Sequence, residues 1–115
     1  MATLPKPGEI VAALQEAASN SINRDITTVG GFVKDQLERI EALGLKLIDM
    51  IAAGEFEDDP EEIEVFTGIL KDLVTNFTNT LRGLTVVLIE KVWNAVVDAL
   101  WGAIEKAAGI PLPRP

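Results

Sequence analysis

Seven carboxylates stand within ten residues, at Glu55, Glu57, Asp58, Asp59, Glu61, Glu62 and Glu64. Clustered carboxylate oxygens are the ligands that Ca²⁺ and Mg²⁺ take, so metal chemistry in this chain would have to begin here. The spacing argues against it. An EF-hand loop needs ligands at its first, third and fifth positions and a glycine at the sixth, where the chain turns sharply. Counting from Glu55 places Glu57 and Asp59 correctly but puts Pro60 at the sixth position; counting from Asp58 or Asp59 puts Ile63 or Glu64 there. The run reads as a solvated turn whose charge favours the N-terminal end of the helix that follows.

A second set of carboxylates, Glu90, Asp98 and Glu105, shares one stripe of the C-terminal helical pattern. A di-metal bundle site pairs glutamates with Glu-x-x-His, and this chain has no histidine. Glu16 and Glu41 offer no second motif, and nothing selects a carboxylate pair for glycoside chemistry. Cysteine and tyrosine are also absent. Without His or Cys there is no ordinary zinc, haem or iron–sulfur ligand set, no Ser-His or Cys-His nucleophile pair and no imidazole for proton transfer. Gly30-Gly31 and Gly109 sit in no phosphate-loop pattern. The sequence therefore supplies no catalytic, cofactor-binding or metal-ligating residue, and the chain is expected not to be an enzyme.

The net charge of −8 is concentrated in the acidic run. Outside it, 11 acidic residues face 10 scattered basic ones, which disfavours nucleic acid as a partner. The 115 residues fit one domain, and 48% hydrophobic content suffices for a core. The lack of cysteine fits a reducing compartment. The segment Met1 to Gly8 has no apolar stretch of signal-peptide type, so a cytoplasmic location is expected. Gly83 to Ile104 is long enough to span a bilayer but contains Glu90, Lys91 and Asp98. Three charges at about 2.5–3.5 kcal/mol each offset the gain from its Leu, Ile and Val, so an isolated membrane span is not expected.

Elements that could position these groups are helical throughout. Pro5 and Pro7 precede the first pattern, Pro60 stands at the centre, and Pro111, Pro113 and Pro115 close the last; this placement marks helix starts and stops. No β-branched run alternates between turn residues. The periodicity predicts helices over about 8–22, 25–53, 60–82 and 84–108, flanked by Pro-rich tails at 1–7 and 109–115. In the second helix Ile26, Val29, Val33, Leu37, Ile40, Leu43, Leu47, Ile48 and Ile51 form the apolar stripe, while Lys34, Asp35, Glu38, Glu41, Lys46 and Asp49 face away. Gly54 and Gly109 are expected C-terminal caps. Asp59, Pro60 and Glu62 make a capping-box start for the third helix.

Two segments, Thr27 to Gly31 and Thr78 to Gly83, have poor helix propensity, yet the apolar stripe stays in phase across both. Two all-α architectures follow. Continuous arms would give an antiparallel helical hairpin about 70 Å long, which would have to oligomerise to bury its stripe. Arms folded back at the weak segments would give a four-helix bundle.

The fourth helix carries the functional expectation. Its polar residues occupy an arc of about 120°, shared with Val87 and Trp101, and the rest is apolar, wider than an ordinary surface helix needs. A single small bundle is expected to leave part of it uncovered. The expected interface is Trp93, Val96, Val97, Leu100, Trp101 and Ile104, with Trp101 as anchor because aromatic side chains concentrate binding energy. The resulting expectation is a non-catalytic structural or interaction protein that self-associates through this helix, with other protein partners as a further option. The alternatives are a lipid-surface protein or oligomeric pore former, disfavoured at a surface by the scarcity of cations on this helix, and a bundle enclosing an apolar ligand. The tail at 111–115 reads as a helix terminator; docking as a polyproline segment is the alternative.

Overall fold

A computed structural model describes residues 4–22, 32–84, 89–112 and 114. Four helices follow one another: α1 (Glu9–Ile22), α2 (Phe32–Ala52), α3 (Glu62–Leu84) and α4 (Ile89–Ala108). They form a four-helix bundle. Neighbours around the bundle are α1–α2, α2–α3, α3–α4 and α4–α1, and α2 and α4 meet across its centre. The longest dimension is 44 Å and the radius of gyration 14.0 Å. Arms of about 70 Å cannot fit within that length, so the hairpin of continuous helices is excluded.

Each helix contributes its periodic stripe. Ile10, Leu14 and Ala18 of α1 meet Val33, Leu37, Ile40, Leu47 and Ile48 of α2, Leu70, Val74, Phe77 and Leu81 of α3, and Val92, Val96, Leu100 and Ile104 of α4 in one buried core. Gly44 sits where three helices converge. A Cβ at this position would lie 3.4 Å from Ile104 Cδ1 and 3.8 Å from Ile10 Cδ1. These are ordinary contact distances to side-chain ends, so the site has room for a methyl group and little more.

Both glycine caps form as expected. Gly54 has φ 76°, donates its N–H to Ile51 O and is followed by a bond from Glu55 N–H to Met50 O. This is the Schellman arrangement. Gly109, φ 78°, donates to Glu105 O and ends α4 with the single-bond version.

Three expectations need correction. The weak segment at 78–83 is not a break: α3 runs through it to Leu84. Thr78 and Thr80 donate their hydroxyls to the carbonyls of Thr75 and Asn76 within the same helix. Phe77 and Leu81 are fully buried, worth roughly 1.5–3 kcal/mol each, against propensity penalties of about 0.7 kcal/mol or less at each of Thr78, Asn79 and Thr80 and about 1 kcal/mol at Gly83. Packing wins. The start of α3 also differs: its first turn is closed by Glu62 N–H to Asp59 O and Ile63 N–H to Pro60 O, so Asp59 contributes its main-chain carbonyl rather than a capping carboxylate. Glu41 does not face away from the core but is buried. The other weak segment, 27–31, and the expected first turns of the second helix lie outside the described residues.

Candidate functional site

Part of the polar face of α4 is engaged by the chain's own C-terminal segment. Asp98, Trp101 and Glu105 lie on one side of the helix at successive turns, the i, i+3, i+7 spacing. After Gly109 the chain doubles back. Leu112 donates its N–H to Glu105 Oε2 at 2.9 Å and buries its side chain. The Arg114 guanidinium bridges Glu105 Oε1 at 2.7 Å and Asp98 Oδ1 at 3.2 Å, spanning the helix surface on either side of Trp101. Trp101 is 0% exposed. The segment is thus a strap fastened to α4 one turn before and one turn after Trp101, the large apolar side chain that the helical wheel places among polar neighbours.

This revises the premise of the expected interface. Val96, Leu100, Trp101 and Ile104 are fully buried within the single chain, Val97 is nearly so, and Trp93 is half-buried. The other three helices all touch α4, and the strap takes part of the remaining side. Self-association is therefore not required by uncovered apolar surface on α4. The sequence did carry a signal for the strap: Leu112 and Arg114 in a Pro-rich tail match the apolar and acidic groups of the polar arc.

At the other side of α4, the first turn of α1 is held by a distant carboxylate. Glu41, midway along α2, accepts the N–H of Gly8 at 2.9 Å and of Val11 at 2.8 Å. Gly8 has φ 87°, a left-handed conformation that suits glycine. No Ser, Thr, Asp or Asn stands at the start of α1, so Glu41 supplies the acceptor that a local cap would give. Beside this junction the N-terminal segment leaves a cleft of about 480 Å³ against α1 and α4. Its floor is Ile10, Ala13, Ala103 and Ala107, and Leu4, Lys6, Glu9 and Lys106 stand at its edges.

The third surface is the outer face of α3. Val65 is 61% exposed and Ile69, one turn on, 45%. Ile69 falls on the apolar period of α3, next to Leu70 and Leu73, yet the bundle leaves it outside. Gly68 between them has open space where a Cβ would stand. Asp59, Glu61, Glu62 and Glu64 surround Val65 in a shallow depression, and Asp72 is exposed one turn beyond Ile69. Among the described residues no group of three or more such carboxylates is placed to hold a metal ion. The turn that carries the acidic run is not wholly polar in its packing. Phe56 is buried and meets the Phe66 ring edge-on, with centroids 5.7 Å apart and planes at 71°.

Among the described residues no helix is long and apolar enough to cross a membrane. Comparison with family models, with curated proteins and with solved structures found no match.

Proposed function

We propose that the chain is a non-catalytic interaction protein that docks a partner on the outer face of α3. The observation that carries this reading is the exposure of Val65 and Ile69, two large apolar side chains one helical turn apart, beside a glycine that lets a partner come close. Their acidic surround sets the partner's chemistry: an amphipathic segment with apolar anchors and basic flanks. A second copy fits this face poorly, because face-to-face pairing would bring two sets of Glu61, Glu62 and Glu64 together.

The test is titration of the full chain with a fluorescent basic amphipathic peptide at several salt concentrations. Binding that weakens with salt and is lost in Val65→Asp/Ile69→Asp supports the reading. Equal binding by wild type and the double variant would sink it.

A second reading keeps self-association on α4. It is favoured by the strap: release of Leu112 and Arg114 would uncover Trp101 on a face otherwise rimmed by polar groups. Light scattering on Leu112→Asp/Arg114→Glu, which removes both attachments, distinguishes it, since a monomeric wild type with an oligomeric variant points to α4, and two monomers point away from it.

A further inference from the structure

The cleft between the N-terminal segment and the α1–α4 pair is apolar at its floor and charged at its edges. It exists because α1 and α4 face each other through small residues. Ala13, Ala103 and Ala107 leave the space that larger side chains would fill, and Ile10 supplies an apolar base. Leu4 borders the same cleft yet is 52% exposed, an apolar wall with one side in water. At about 480 Å³ it falls within the roughly 300–1,000 Å³ range of small-molecule sites.

Charge decides the occupant. In a chain of net charge −8, the cleft carries two lysines, Lys6 and Lys106, at its edges. Among the described residues neither ammonium is paired with a carboxylate. The one acid at the cleft, Glu9, already accepts the Lys6 main-chain N–H at 2.9 Å. We infer that this cleft binds a monomeric amphiphile with a single anionic head group and a medium-length aliphatic chain, its head between Lys6 and Lys106 and its chain against Ile10 and the alanines. A neutral or cationic head would forfeit the lysines, and a chain without a head would leave two ammonium groups beside an apolar occupant.

The experiment uses the full chain and three ten-carbon probes below their micelle thresholds: decanoate, decanol and decyltrimethylammonium. Calorimetry is read with the methyl resonances of Ile10, Ala13 and Ala103. Saturable decanoate binding at least tenfold tighter than the cationic probe, with shifts confined to those methyls, is the expected result. Lys106→Glu, at an exposed position that leaves helicity intact, should weaken decanoate at least tenfold, and Ala103→Leu should block it by filling the floor. No saturable decanoate binding, equal affinity for all three probes, or shifts elsewhere on the bundle would overturn the proposal. Binding to anionic vesicles with no binding of free decanoate would overturn it too, since that is a membrane surface and not a cleft for a monomeric ligand.

Discussion

Glu41 Oε2 accepts the main-chain N–H of Val11 at 2.8 Å, across 30 positions of sequence, and so ties the start of α1 to the middle of α2. The same carboxylate takes the Gly8 N–H. Two otherwise orphaned helix N-terminal donors are satisfied by one buried anion, in the place where the helix dipole favours negative charge.

Glu41→Ala should therefore cost more than a surface substitution. It removes two charge-assisted hydrogen bonds and strands both donors at a part-buried site, for an expected loss of about 2–3 kcal/mol. Glu41→Gln keeps an acceptor oxygen and should lose about half as much. Urea unfolding followed by circular dichroism measures both. Equal stability of Glu41→Ala and wild type would mean that water replaces the carboxylate without penalty.

The acidic turn separates into residues that pack and residues that do not. Phe56→Ala should cost about 3 kcal/mol, since it deletes a buried ring and its edge-on contact with Phe66. Neutralising Glu55, Glu57 and Asp58, all exposed, should change stability by less than about 0.5 kcal/mol. Asp59→Ala should also be mild, at a few tenths of a kcal/mol through the helix dipole, because its carboxylate does not cap α3. A loss near 1 kcal/mol at Asp59 would show that the side chain caps the helix in solution.

The helix stripes, the two glycine caps and the all-α class were legible from apolar period and turn residues alone, because each is set within a few positions of sequence. What escaped was set by distant residues. Glu41 falls on a polar-looking position of α2 and becomes buried only because α1 begins opposite it. Ile69 fits the periodic stripe of α3 but falls outside the space that α2 and α4 enclose. Trp101 looked exposed because a helical wheel shows one helix alone, whereas in the bundle it is fully buried and the tail is bonded to α4 on either side of it. Thr78 and Thr80 looked like a break because propensity counts the residue and not the core beside it. The candidate surfaces were the least legible part, since exposure is what remains after every long-range contact has formed.

Gly44 tests how closely the central helices are set. Gly44→Ala should stabilise the chain by about 0.5–1 kcal/mol: a glycine inside a helix costs roughly that much relative to alanine, and a Cβ 3.4 Å from Ile104 makes an ordinary contact. Gly44→Leu should lose about 1–3 kcal/mol through overpacking at the three-helix junction. Thermal melts of the two variants should move in opposite directions. A stabilised Gly44→Leu would mean that the helices are farther apart than the packing indicates.

The strap over α4 makes the last prediction. Its two parts differ in kind: Leu112 is buried, whereas Arg114 holds its ion pairs at a site 47% exposed. Exposed ion pairs contribute roughly 0–1 kcal/mol, while truncating a buried leucine costs about 2–5 kcal/mol. Leu112→Ala should therefore lower stability well beyond Arg114→Ala. In a Trp93→Phe background, where Trp101 is the only tryptophan, both variants should raise the quenching of its fluorescence by acrylamide, Leu112→Ala the more. Addition of 1 M salt to the parent, which screens Arg114 but not Leu112, should raise quenching only slightly. If quenching stayed the same in both variants while each remained folded, the helices alone would be what buries Trp101, and a release of the strap could not expose it.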